Sequence, residues 1–81
     1  MQPDSTTIEH TLQTMLTAHV EEASEIHTDT DLTVDLELES VQVMAFVVEV
    51  EDRYDIAIDL DTLSRVRTVG DLAAVVLRNL A

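Results

Sequence analysis

Cysteine is missing from this 81-residue chain, lysine is missing too, and glycine and proline occur once each. Without cysteine there is no disulfide framework, no thiolate nucleophile and no cysteine-based zinc site. Any thiol that serves this protein must be added to it. One glycine and one proline are too few for a turn-rich β-sandwich, so the composition favours helices. Aromatic residues number two, Phe46 and Tyr54, so the core must be built from Leu, Val, Ile and Met. Seventeen acidic residues face four arginines, a formal net charge of −13. Binding to nucleic acid needs clustered cations to displace counterions, and this balance excludes it. The same field attracts basic patches on protein partners. No apolar run reaches the length of a membrane span and nothing resembles a signal peptide, so no membrane insertion and a cytoplasmic location are expected.

What the chain does have is an apolar fraction of 46%, enough to exclude a wholly disordered chain. Its length suits a single domain over residues 1–81, with residues 1–5 expected to fray. Thr6 and Glu9 have capping-box spacing, and Ile8, Leu12, Met15, Leu16 and Val20 follow with a helical period. The spacing predicts a first helix over residues 6–20. From Glu21 to Glu39 the period fades. Ile26, Leu32, Leu36 and Leu38 are left as anchors expected to pin a long acidic loop to the core.

The second helix is predicted over Ser40–Tyr54. At a hundred degrees per residue, Val43, Phe46, Val47, Val50 and Tyr54 form its core stripe, and Val41, Met44, Ala45 and Val48 fall opposite. Two apolar faces admit two readings. Either the helix is central and surrounded, or the second stripe docks a partner. Asp55–Asp61 alternates Ile56, Ile58 and Leu60 with smaller or polar residues, expected as an extended connector burying alternate side chains. Asp61 or Thr62 is expected to cap a short helix running through Val66. Thr68 and Asp71 begin a last helix with core stripe Val69, Leu72, Ala73, Val76 and Leu80, and Gly70 in its first turn.

The segment Asp35-Leu36-Glu37-Leu38-Glu39-Ser40-Val41 leads an acidic, leucine-punctuated loop into a serine at a helix start. On its own such a serine reads as a plain N-cap. The segment also resembles the attachment motif of acyl and peptidyl carrier proteins, Asp-x-Gly-x-Asp-Ser-Leu. The end of the second helix, Val48 to Ile56 with Glu49, Glu51, Asp52, Arg53 and Tyr54, is similar to that family's acidic-aromatic ending. Thr68-Val69-Gly70-Asp71-Leu72 resembles the opening of its last helix. The order of a long first helix, a long pinned loop, a serine-headed second helix, a short third and a closing fourth is similar too, so the resemblance covers essentially the chain from Ile8 to Leu80.

The resemblance implies an all-α fold, a small four-helix carrier-protein bundle of three main helices and one short one. It implies Ser40 as the attachment point of a covalent 4'-phosphopantetheine, delivered from coenzyme A by a phosphopantetheinyl transferase. The helix N-terminus would favour the phosphodiester. The arm's thiol would hold acyl intermediates as thioesters, so the chain would be a carrier and not an enzyme. Its partners would be acyl-loading and acyl-using enzymes of fatty-acid, polyketide or specialised lipid synthesis. They would bring basic docking patches to a monomer and meet Asp35, Glu39, Val41, Met44, Ala45 and Val48. An aminoacyl or peptidyl carrier of the same fold, or an unmodified acidic interaction module, are the alternatives.

Several positions depart from the family. Glu37 replaces glycine, so the loop is expected to turn without the freedom of positive φ. Glu39 replaces aspartate, Val41 replaces leucine, and Gln42 and Ala45 stand where acids are frequent. These departures favour a specialised pathway over housekeeping fatty-acid synthesis. Asp29, Asp31, Thr33, Asp35 and Glu37 mimic the spacing of a calcium loop, but Val34 sits where glycine is needed and Ser40 where a bidentate glutamate is needed. No metal site is therefore expected. His10, His19 and His27 have neither ligand spacing nor a carboxylate at a fixed offset, and are expected at the surface. No Ser-His-Asp order or paired-acid arrangement points to catalysis.

Overall fold

The computed structural model describes residues 4–19 and 26–80. Four helices follow one another: α1 (Ser5–Thr17), α2 (Ser40–Tyr54), α3 (Leu60–Leu63) and α4 (Val69–Leu80). Among the described residues there is no strand, only an isolated antiparallel bridge between Asp31 and Thr68.

The first helix buries Ile8, Leu12 and Leu16, residues at a spacing of four that stack on one face. Its cap differs from the expected one. Asp4, in extended conformation, accepts from the Thr7 N–H at 2.8 Å, so helix begins at Ser5 and not after Thr6. Asp4 and Ser5 therefore belong to the helix start and are not part of a frayed end. Residues 1–3 lie outside the described residues, as does Val20. Glu9 does not turn back to Thr6; its carboxylate accepts from the Thr28 hydroxyl at 3.0 Å. The helix ends at Thr17, short of the expected residue 20, and Ala18 is its C-cap.

Along the acidic loop the anchors behave as expected. Leu32 and Leu38 are buried, and Ile26 and Leu36 are half-buried against the core. A ladder of backbone bonds ties this loop to the approach of α4. Leu32 N–H donates to Arg67 O at 2.8 Å, Val69 N–H to Thr30 O at 3.1 Å, and Gly70 N–H to Thr28 O at 2.7 Å. Gly70 is required by that approach. A Cβ there would sit 2.6 Å from Thr28 Cγ2 and 3.1 Å from its carbonyl oxygen. An added side chain would force Thr28 and its backbone to shift.

The second helix has the expected bounds, Ser40–Tyr54, with Phe46, Val47 and Val50 buried and Val43 and Tyr54 half-buried. It ends where Asp55 takes a left-handed φ of 54°, a conformation aspartate tolerates better than most residues. In the connector, Ile56 and Ile58 pack on the core as expected, and the Ile58 N–H donates to the Glu51 carboxylate at 2.7 Å. Leu60 does not pack there; it is 70% exposed and begins α3. The cap of α3 is Asp59, which accepts from the Thr62 N–H at 2.7 Å, and not Asp61 or Thr62. The helix stops at Leu63, before Val66. In the last helix the predicted capping box is present. Thr68 N–H donates to the Asp71 carboxylate, and Asp71 N–H to the Thr68 hydroxyl, both at 3.1 Å. Val69, Leu72, Ala73 and Val76 are buried, joined by Val75, which the stripe did not include; Leu80 is half-buried. The core is α1 laid along α4, with Phe46 and Val50 of α2 closing one side and Leu32 and Leu38 the rest.

Candidate functional site

Ser40 stands at the first position of α2, one residue past the cap. Glu39, extended at φ −78° and ψ 162°, is the N-cap and its carbonyl accepts the first helical bond, from Val43 N–H at 2.9 Å. Gln42 turns its side-chain oxygen back to the Glu39 N–H at 2.8 Å. The cap is thus supplied by Glu39 and Gln42, and the plain-cap reading of Ser40 fails. Its side chain is exposed and its hydroxyl forms no hydrogen bond among the described residues. Other hydroxyls are engaged. Ser64 donates to Asp61 O at 2.7 Å, and Thr14 and Thr17 donate to the carbonyls four residues back. Ser5 holds the equivalent place in α1 but lacks the acidic, leucine-punctuated approach. Ser24 lies outside the described residues.

The alternation of that approach has a physical basis. Leu38 is buried and Leu36 half-buried, which leaves Asp35, Glu37 and Glu39 exposed ahead of Ser40. Glu37 corrects the expectation drawn from its identity: it adopts the left-handed region, φ 54°, although it is not glycine. The turn is followed by the buried Leu38, and a β-carbon carries a steric cost in that conformation. Asp35 is held by the Asp31 N–H, which donates to its carboxylate at 2.8 Å. Asp31 in turn accepts from Thr33 N–H and Val34 N–H, both at 2.9 Å, and these bonds hold its carboxyl below the usual aspartate range. Two of the carboxylates that mimicked a calcium loop, Asp31 and Asp35, are bound into the turn's own backbone. Among the described residues no three potential ligands are placed to hold a metal ion.

No acidic side chain lies in the first turn of α2. The positive end of the helix dipole lies at Ser40, and the carboxylate against that turn is that of the N-cap Glu39, which takes part in the capping box with Gln42. An exposed, unbonded hydroxyl at this place fits a phosphodiester: the oxygen is free to be linked, and the helix end favours the charge added. The opposite stripe of the helix is on the surface. Val41 is 77% exposed, Val48 52% and Met44 41%, with Ala45 exposed between them. The reading of α2 as surrounded on all sides is overturned.

A family model described as the phosphopantetheine attachment site matches residues 7–76. The chain belongs to that family. The helical carrier fold goes with this membership, and domains of this family hold a covalent phosphopantetheine. A Caulobacter vibrioides relative described as a probable acyl carrier protein is 37% identical over 54 residues, 67% of this chain and 63% of the relative. An acyl carrier protein of Exiguobacterium sibiricum is 38% identical over 53 residues, 65% of this chain and 67% of that protein. The matched segments thus span about two thirds of these relatives' own length. Among solved structures, an acyl carrier protein candidate from Mycobacterium tuberculosis superposes with a TM-score of 0.81 at 25% identity. The match covers 88% of this chain and 96% of that one.

The histidines part company with the expectation. His10 and His27 are exposed, but His19 is half-buried. It has a carboxylate partner, Glu49 of α2, and its ring meets the buried Phe46 edge-on with centroids 5.7 Å apart. Thirty residues separate His19 from Glu49, so no sequence spacing signals the pair. No helix among the described residues is long and apolar enough to cross a membrane.

Proposed function

We propose that this chain is an acyl carrier protein in which the Ser40 hydroxyl bears the phosphopantetheine arm, with residues 1–81 acting as one carrier domain. The observation that carries the assignment is the division of labour at the start of α2. Glu39 and Gln42 perform the capping, so the Ser40 hydroxyl is exposed and unbonded at the helix end. Such an oxygen is open to a transferase that brings the phosphopantetheinyl group from coenzyme A. The hydroxyl gives up its proton, its oxygen bonds the β-phosphorus, and 3',5'-adenosine bisphosphate leaves. The arm supplies a terminal thiol on which acyl groups are held as thioesters. The protein's own residues present the arm: the start of α2 would set the positive end of its dipole toward the phosphate, and the buried Leu38 anchors the helix entry. The acyl cargo is supported by the naming of the relatives, and the chain's role ends at presentation, with chemistry done by its partners.

Those partners are read from the surface around Ser40. Asp35 and Glu39 offer negative charge on the loop side, and Val41, Met44, Ala45 and Val48 offer an apolar stripe on α2. Enzymes that load and use the cargo would meet these residues with cationic groups around an apolar depression, in the cytoplasm and against a monomer. The first nine residues of α2, Ser40–Val48, contain no acid, which favours a carrier for a specialised pathway. Incubation with coenzyme A and a broad-specificity transferase should add one arm mass to the wild-type chain. Ser40→Ala should fold and add none. An arm found on the Ser40→Ala protein would sink the assignment.

A further inference from the structure

Two of the chain's four arginines, Arg65 and Arg78, line a surface groove between α3 and α4. The groove has a volume of about 260 Å³, and Arg65 and Arg78 flank the apolar side chains of Val66, Ala74 and Val75. Arg65 faces Asp61 at 3.5 Å with both side chains largely exposed, a pairing that water leaves weak. Arg78 forms no ion pair among the described residues. Asp71 also borders the groove, but its carboxylate accepts the Arg67 and Thr68 N–H groups of the α4 cap at 3.1 Å each. Two guanidinium groups are therefore available in a chain of net charge −13.

We infer that this groove is a second docking point, which receives from a protein partner a carboxylate side chain flanked by an apolar one. Guanidinium forks match carboxylates bidentately, and arginine beside apolar side chains in a groove of mixed lining is a recurrent centre of binding energy at interfaces. The chain's net charge repels acidic partners at a distance, so the groove does not steer encounter. It sets register after a partner has met α2, by accepting an acid where the rest of the surface rejects one. The identity of that partner as a carrier-dependent enzyme rests on the reading proposed above; the groove's chemistry does not.

The test is a titration of the ¹⁵N-labelled full chain with acetyl-Leu-Glu-Leu-Glu-Leu-amide, followed by amide resonances. A counterpart with glutamine for glutamate is the control. The acidic peptide should move the Ala74, Val75 and Arg78 amides and the arginine Nε–H signals, and the neutral one should not. Arg78→Gln and Arg65→Gln, both at exposed positions, should each weaken binding roughly tenfold with the melting temperature retained. The inference is overturned if neither peptide moves the groove, if both move it equally, or if the arginine variants bind as the wild type does. Wild-type protein that takes no arm at Ser40 removes the carrier reading, and the peptide result still stands or falls by itself.

Discussion

At Glu37 the backbone is held at φ 54° by a residue with a β-carbon, three positions before the proposed attachment serine. Left-handed conformation costs an L-residue roughly 1–2 kcal/mol, part of which glycine returns as lost unfolded-state entropy. Glu37→Gly should therefore stabilise the fold by about 0.5–1 kcal/mol, a rise of a few degrees in melting temperature for a domain of this size. An unchanged or lower melting temperature would show that the Glu37 side chain repays its strain. The opposite case is Gly70, whose missing side chain makes room for Thr28. Gly70→Ala forces an added carbon to 2.6 Å from Thr28 Cγ2 and 3.1 Å from its carbonyl. A loss of about 1–3 kcal/mol is expected, as for other overpacked sites. Thr28→Ser removes the nearer methyl and should restore part of that loss in the double variant. Full restoration would mean that the backbone carbonyl had yielded, and the ladder between the loop and α4 would be softer than its bonds indicate. Glu37 was legible in the sequence as a departure from a glycine position, but its conformation was not. The next residue, Leu38, is buried, and the preference of residue 37 does not decide the turn.

Among the elements, α2 does two jobs with two faces. Phe46→Ala empties a fully buried position and should cost about 3–5 kcal/mol in thermal or denaturant unfolding. Met44→Glu, on the exposed face, should alter the melting temperature little and should impair transfer to or from an enzyme that uses the arm. A loss of several kcal/mol for Met44→Glu would place that face in the core. The two stripes were visible from a period of 3.6, because helix geometry alone decides which residues share a face. The stripe of Val43, Phe46, Val47, Val50 and Tyr54 does meet the core, but whether the opposite one was covered as well could not be read that way, since Val41, Met44 and Val48 are as apolar as Val43, Val47 and Val50. The caps of α1 and α3 show the same limit. Thr6, Asp61 and Thr62 were chemically competent caps, but Asp4 and Asp59 each stood in extended conformation with a carboxylate on the N–H three residues ahead. The winner was set by where the chain entered each helix.

For the whole molecule the governing quantity is its net charge of −13. Seventeen acids against four bases repel one another within a few screening lengths, so sodium chloride should raise the melting temperature at pH 7 by screening. A melting temperature that falls steadily with salt would show that ion pairs dominate. The pH profile should turn over. Partial protonation near pH 5 lowers the net charge and should stabilise. Against it stand Asp4, Asp31, Asp59 and Asp71, each held below the usual aspartate range chiefly by backbone N–H bonds, from Thr7, Val34, Thr62 and Arg67 respectively. A carboxyl lowered on folding contributes stability above its unfolded value of about 3.9 and loses it as pH falls through the folded value. Stability should therefore rise from pH 7 towards 5 and decline below about 4. A steady rise through pH 3 would mean that those caps contribute nothing.

Composition and period alone determined the helical class, the bounds of α2 and the loop anchors, because each follows from neighbours within a few residues along the chain; Ser40 stood out only through the family resemblance. Tertiary structure alone decided that Glu37 turns left-handed, that His19 finds Glu49, and that Thr28 fills the space beside Gly70. It also brought Arg65 and Arg78 to one groove. Each of these joins groups whose separation in sequence carries no signal, or selects one of several competent groups by burial. Contact across a packed core is a property of the fold as a whole, and local spacing does not encode it.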